Sequence, residues 1–148
     1  AWEAGTSTTE SLVSPAKVKA AVDAHGGTTL LASSATTGSS TTISGLDLSN
    51  YSFIIISATD ISHSGTTGGP FSLQVESEIF SASVTSSAIL YGQVIVDLSS
   101  GIGSGGFGET TSSLYHKDTG LSKSSTSVTM SWTNAPNFDG GSFGIYGV

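Results

Sequence analysis

Apolar and polar residues alternate with period two through most of the chain after Thr28. Val128, Met130 and Trp132, for example, alternate with threonine and serine, which is the side-chain repeat of a half-buried β-strand. Turn-forming pairs rich in glycine, serine and asparagine separate these stretches. The predicted strands are residues 29–34, 41–44, 52–59, 71–78, 89–98, 112–116, 127–132 and 142–146. Residues 28–148 are therefore predicted to form an all-β, antiparallel β-sandwich, jelly-roll-like in its connections.

One predicted strand differs from the others because it is apolar on both of its faces. Phe53, Ile54, Ile55 and Ile56 follow one another without a polar residue between them. Such a run is typical of a strand covered on both sides. We expect it to be a central strand of the sandwich.

The first 27 residues have a different pattern and form a separate segment, a polar linker followed by one short α-helix. Ser14 is a good N-cap, and Pro15 suits the first position of a helix. Residues 16–25 contain strong helix formers, and Gly26-Gly27 ends the helix.

The predicted helix carries a narrow apolar stripe made of Val18, Ala21 and Val22, with His25 at its end. A helix of about three turns is marginal in water when it is alone. The stripe must therefore be covered, either by copies of the same helix about a trimer axis or by the sandwich of its own chain. Val18, Ala21 and Val22 are the predicted oligomer contacts.

Composition and charge exclude several classes of partner. The chain has no arginine and only four lysines, and its formal net charge is −7. Nucleic-acid binding needs clustered basic residues and is not expected. No apolar run approaches the length of a membrane span, so membrane insertion is not expected either. Cysteine is absent, and serine and threonine make up about a third of the chain, which indicates a hydroxyl-covered β surface.

Three parts of the chain resemble phage proteins. The opening residues AWEAGTSTTESLVSPAKVKAAV resemble a segment of phage and prophage tail proteins in which W-E-x-G-T leads into an S-P-x-K helix. GLDLSNYSFIIISATDIS resembles a strand of small tail-fibre and receptor-binding β domains, and the terminal FDGGSFGIYGV is similar to their closing strand. The resemblance implies a homotrimeric protein of the virion surface. Its N-terminal segment would contact other virion proteins, and its β-sandwich would contact a host-surface glycan or protein.

Motifs for catalysis or metal binding are weak. The G-x-G-x-x-G spacing of residues 101–106 is not followed by a helical pattern, as a dinucleotide site requires, so a surface loop is expected there. Asp60, His63 and Ser64 are neighbours in one short stretch, where a catalytic relay is rarely formed. Glu76 and Glu78 are predicted to share one strand face, too few acids for a calcium site. We predict no catalytic residue, no metal site and no cofactor.

Aromatic residues at strand margins or in loops are the better candidates for a ligand site. Tyr91, Phe107, Tyr115 and His116 are in such positions, with Asp and Asn residues near them in the sequence. Their rings are candidates to stack on a sugar, while the polar neighbours bond its hydroxyl groups.

Three functions remain open from the sequence. The first is a fibre or tip module that attaches a particle to a cell-surface receptor, most simply a saccharide. The second is a purely structural head-spike, decoration or fibre protein without a ligand. The third is a glycan-cleaving depolymerase, because eleven scattered acids always provide some carboxylate pair.

The substitution Val22→Asp separates the two ways of covering the helix. In a trimer it would place three carboxylates near one axis, where like charges at short range disfavour association. If copies of the helix cover the stripe, the variant should run as a folded monomer in light scattering, with the thermal transition of the sandwich retained. A parent chain that is already monomeric at tens of micromolar would contradict the helix-driven trimer.

Overall fold

The computed structural model describes residues 27–65, 71–84, 88–109, 114–134 and 136–148, and within them the chain is all-β. The described strands are β1 (Thr29–Ala35), β2 (Ser40–Ser44), β3 (Phe53–His63), β4 (Leu73–Val75), β5 (Glu78–Ile79), β6 (Leu90–Asp97), β7 (Ile102–Gly108), β8 (Tyr115–Asp118), β9 (Ser127–Trp132) and β10 (Phe138–Gly147). They form two antiparallel sheets in a sandwich-like arrangement, which confirms the predicted fold class at that level.

The larger sheet has six strands in the order β1-β10-β3-β6-β7-β8, and the smaller has four in the order β2-β9-β4-β5. A single apolar core joins them. From the larger sheet, Ile54 and Ile56 of β3 are completely buried opposite Val96 and Val94 of β6. From the smaller sheet, Met130 of β9 is also completely buried in this cluster. Strands β1 to β4 alternate between the sheets, so consecutive segments contribute to both sides of the core.

Strand β3 is central, as predicted, but its two faces differ. Ile54 and Ile56 lie in the core, whereas Phe53 on the opposite face is 42% exposed and Ile55 is half-buried. The expectation of a strand covered on both faces is therefore met on one side only within the described residues. Apolar side chains on the second face remain in contact with solvent there.

The expected loop at residues 101–106 is wrong, because this stretch lies largely in strand β7. Its glycines permit a close approach of two backbones. A Cβ atom on Gly105 would lie 2.1 Å from the carbonyl oxygen of Gln93, and one on Gly92 would lie 2.1 Å from that of Gly106. Side chains at these positions would separate β6 from β7. The glycine spacing therefore serves strand pairing.

The predicted strand over residues 71–78 is also corrected, because it divides into β4 and β5 with a tight turn between them. Glu76 lies in this turn with a φ of 56°, and its Oε1 accepts a hydrogen bond from the Thr129 N–H at 2.9 Å. Glu76 and Glu78 consequently do not share a face of one strand.

The N-terminal segment lies outside the described residues. The predicted helix, its contacts Val18, Ala21 and Val22, and the division of the chain after residue 27 stay predictions. The first described residue is Gly27, and β1 begins two positions later.

The close approach of β6 and β7 predicts unequal effects of two glycine substitutions. Gly92→Ala adds a methyl group against the Gly106 carbonyl at a φ of 148°, and we expect it to lower the free energy of unfolding by about 3 kcal/mol or more. Gly45→Ala is the matched control, because Gly45 also has a positive φ (75°) but has open space around its Cβ position. Gly45→Ala should therefore lower the free energy of unfolding by only about 1 kcal/mol, the cost of backbone strain. Urea unfolding measures both, and equal losses would contradict the steric argument.

Candidate functional site

The four residues predicted to bind a ligand are not brought together by the fold. Tyr91 is exposed on β6, and His116 is exposed on β8. Tyr115, also on β8, is half-buried, with its ring edge-on to Phe80 at a centroid distance of 6.5 Å. Tyr91 and His116 thus remain surface candidates, at different places on the six-stranded sheet.

Phe107 requires a correction, because it is 1% exposed and belongs to the core. It was expected in a loop, but β7 extends through it and turns its side chain inward. Its backbone N–H donates to the Phe80 carbonyl at 2.7 Å, which holds it against β5 and the four-stranded sheet. Its ring is not available to a ligand on the surface.

Tyr91 and His116 both lie on the side of the six-stranded sheet that points away from the core, called here the outer face. At one end of this face four polar side chains form a group that we call the Tyr91 cluster: Tyr91, Asp60, Ser62 and Asp139. The Tyr91 hydroxyl donates to Asp60 Oδ1 at 2.5 Å. The Ser62 hydroxyl donates to Asp139 Oδ1. Each carboxylate is therefore held by a hydroxyl group of a neighbouring strand.

Irregular strand pairing produces the Tyr91 cluster. The register of β3 shifts against β6 between Ala58 and Ile61, and the register of β10 shifts against β3 on both sides of Gly140. Asp60 lies in this irregular region with a φ of 54°. A Cβ atom on Gly141 would lie 2.6 Å from the Asp60 carbonyl oxygen, so glycine is needed opposite the bulge. Bulges of this kind re-aim a side chain, here the carboxylate of Asp60 toward the Tyr91 hydroxyl.

The hydrogen bond from Tyr91 to Asp60 raises the pKa of the Tyr91 phenol above its ordinary value, and desolvation and the negative charge of Asp60 act in the same direction. The phenol therefore stays protonated and continues to donate at neutral pH. The cluster presents Tyr91, a residue that is 44% exposed, beside the oriented carboxylate of Asp60.

The other end of the outer face is apolar. Leu30, Tyr146, Ile55 and Ile95 are directly opposite one another on β1, β10, β3 and β6. We call these four residues, together with the adjacent Phe53 and Ile102, the apolar band. Leu30 is 53% exposed and Ile95 is 48% exposed. This is a contiguous apolar surface, of the kind that marks an interaction site on a soluble protein.

The band continues into a shallow open groove of about 420 Å³. Its lining residues are Phe53, Ile95, Asp97, Ser100, Ile102, Ser104 and His116. His116 Nδ1 and the Ser104 hydroxyl are 2.8 Å apart. Hydrogen bonds from the Ser99 hydroxyl and the Ser99 N–H lower the pKa of the Asp97 carboxyl, so Asp97 is ionised at the rim of the groove.

His63 does not join either surface. It is 5% exposed and points into the core, between the rings of Phe71 and Trp132. Its Nδ1 accepts a hydrogen bond from the Gly65 N–H at 3.1 Å. The fold thus places His63 and Asp60 on opposite sides of the sheet.

The described ranges lack two further features. No group of three or more His, Cys, Asp or Glu side chains is placed there to hold a metal ion. No helix there is long and apolar enough to span a membrane.

Sequence reasoning proposed Tyr91 and His116 as ligand candidates, and both are exposed; it did not propose Asp60, Ser62, Asp139 or the apolar band as binding surface. A signal for Asp60 exists, because the alternation of β3 is interrupted between Ala58 and Ile61, as a bulge requires. The band was hidden because its members come from four strands far apart in the chain.

Comparison with protein-family models, with curated proteins and with solved structures finds no match to this chain.

The Tyr91–Asp60 bond gives a prediction for pH titration. Asp60→Gly removes the carboxylate while keeping a residue suited to the positive φ, so the Tyr91 pKa should fall toward its ordinary value of 10.0. In the parent chain the bond should stabilise the fold below pH about 10 and be lost as the pH rises through the raised pKa. Titration of the Tyr91 Cζ signal by NMR measures the shift. Asp139→Ser, which leaves Asp60 in place, should not change it; an equal fall in both variants would contradict the assignment.

Proposed function

We propose that this chain is a non-enzymatic attachment module of a phage-like particle and that its sandwich binds a host-surface saccharide at the Tyr91 cluster. The observation that carries the proposal is the exposed Tyr91 ring, which is held in place by its hydrogen bond to Asp60. The resemblance of the N-terminal and C-terminal residues to tail proteins supports a location on a phage-like particle. The Tyr91 cluster supports a saccharide as the ligand.

The chemistry of the cluster suits a neutral or amino sugar. The face of an aromatic ring packs against the apolar C–H face of a sugar, and carboxylate oxygens accept hydrogen bonds from its hydroxyl groups. Asp60 and Asp139 are already oriented by Tyr91 and Ser62, which reduces the entropy lost on binding. Two carboxylates with a net charge of −7 on the chain disfavour acidic polysaccharides.

The larger assembly is part of the same proposal. Following the resemblance, we propose a homotrimer on the virion surface, joined to other virion proteins by the N-terminal segment, within which we also propose the short helix. We also retain a jelly-roll-like connectivity, which the alternation of β1 to β4 between the sheets supports.

A purely structural module is the second candidate, and the apolar band favours it. Contiguous apolar surface at Leu30, Ile55 and Ile95 is suited to a protein contact and lacks the polar groups that orient a ligand. The two candidates use different ends of the outer face, so substitutions can separate them.

Glycan-array binding followed by calorimetry tests the saccharide proposal. Tyr91→Ala should weaken binding of the selected glycan about tenfold or more, the loss expected for one stacking ring. Tyr91→Phe should retain part of the affinity, because it keeps the ring and removes the bond to Asp60. Thr129→Ala, on the outer face of the other sheet, is the matched control and should bind like the parent.

Two results would contradict this function. One is the absence of glycan binding by the parent chain, which would leave the structural candidate. The other is the release of reducing ends from a bound polysaccharide, lost in Asp60→Asn or Asp139→Asn, which would show a depolymerase.

A further inference from the structure

The apolar band is exposed in the described part of the chain, and the two outer faces of the sandwich differ sharply. On the four-stranded sheet the outer face presents Ser40, Thr42 and Ser44 of β2 opposite Ser131, Thr129 and Ser127 of β9. Thr42 and Thr129 hydroxyls are 2.9 Å apart. In the described residues, β2 and β9 thus present hydroxyl groups, whereas one end of the six-stranded sheet presents leucine, isoleucine and aromatic side chains. A face that met only water would not need the second composition.

We infer that residues 15–25 of this chain pack across the apolar band of their own six-stranded sheet, with the stripe of Val18, Ala21 and Val22 against Tyr146, Ile55 and Ile95. The inference does not depend on the saccharide proposal, because it concerns the opposite end of the outer face. In this arrangement the predicted helix and the apolar band cover each other.

The course of the chain brings this segment to the band. Leu30 is the second residue of β1 and also the first member of the band, directly opposite Tyr146. Gly27, three positions earlier, has a φ of 75°. This left-handed conformation is the usual one for the glycine that ends a helix and reverses the chain. The C-terminal end of a helix that ends at residues 25–26 therefore lies close to β1, the edge strand where the apolar band starts.

The lengths also agree. Neighbouring strands are about 4.8 Å apart, so β1, β10, β3 and β6 span about 14 Å from Leu30 to Ile95. A helix rises 1.5 Å per residue, so residues 16–25 extend about 15 Å. A helix lying across the four strands would place its C-terminal end over β1 and its N-terminal end over β6.

Charge complementarity supports this direction. Lys17 and Lys19 flank the stripe near the N-terminal end of the helix, and Asp97 lies on β6 directly opposite Phe53. Asp118 lies opposite Ile102 at the far end of the groove. Lysine stems lie along apolar surface while their ammonium groups reach outward, so both can approach these carboxylates. The positive N-terminal end of the helix would also face Asp97.

Intrachain packing uses the stripe that a trimer of helices would otherwise bury. It covers the band and part of the groove, including the surroundings of His116, while the Tyr91 cluster stays open. A trimer of this chain would then have to rest on other surfaces.

Disulfide trapping tests the inference in the full chain, which contains no cysteine of its own. The test pair is Val18→Cys with Ile55→Cys, because the lengths above place Val18 over β3, and the control pair is Val18→Cys with Thr129→Cys on the outer face of the other sheet. Under mild oxidation we expect the test pair to form an intrachain bond, seen as a faster monomer band on a denaturing gel. The control pair should react at least about tenfold more slowly, because its thiols are not held together.

Each other outcome would overturn the inference. Cross-linked dimers or trimers from the test pair would place the segment on a neighbouring copy. Equal rates in the test and control pairs would show that the segment has no preferred position on the sandwich. Circular dichroism of the reduced variants checks that the fold is retained.

A second measurement needs no cysteine, in case a pair fails to fold. Hydroxyl-radical footprinting of the parent chain should show low oxidation of Phe53 and Tyr146. In Val18→Asp/Val22→Asp their oxidation should rise several-fold, while Tyr91 on the same face should react equally in both chains. Unchanged oxidation of Phe53 and Tyr146 would contradict the packing.

Discussion

Strand β3 carries apolar side chains on both of its faces, and the rest of the structure depends on how each face is covered. Ile54 and Ile56 on one face are completely buried against the four-stranded sheet. Phe53 and Ile55 on the other continue into Tyr146, Leu30 and Ile95 of the neighbouring strands. The first face explains why the chain forms a sandwich, since burial of these side chains is the main favourable term in folding. The second face is not covered by packing of the two sheets, so its apolar side chains need another partner.

The bulge of β3 divides the outer face into two surfaces with different chemistry. Before the bulge, apolar side chains lie directly opposite one another on β1, β10, β3 and β6. After it, the shifted register turns Asp60 toward Tyr91, and Ser62 bonds Asp139. An apolar band is suited to a permanent contact, whereas an exposed ring with oriented carboxylates is suited to a reversible ligand. We therefore propose that the N-terminal segment packs at one end of the outer face and that a saccharide binds at the other.

The sequence predicted the all-β antiparallel class and the bounds of β9, because the alternation from Ser127 to Trp132 is unbroken. It failed at β7, where Gly103, Gly105 and Gly106 give no alternation to read. Phe107 was misplaced for the same reason. Gly105 is required because the Gln93 carbonyl of β6 approaches so closely. Tyr91 was recognised as a surface ring, but its partner Asp60 was not, since the contact joins two strands through an irregular register that the sequence of either strand does not specify.

We infer that the second face of β3 is covered by the chain's own N-terminal segment. Methyl–methyl nuclear Overhauser effects measure this most directly in the unmodified chain. Intrachain packing predicts cross-peaks from the methyl groups of Val18 and Val22 to those of Ile55 and Ile95, retained when labelled chain is diluted with unlabelled chain. Their absence, or their appearance only between differently labelled copies, would contradict it.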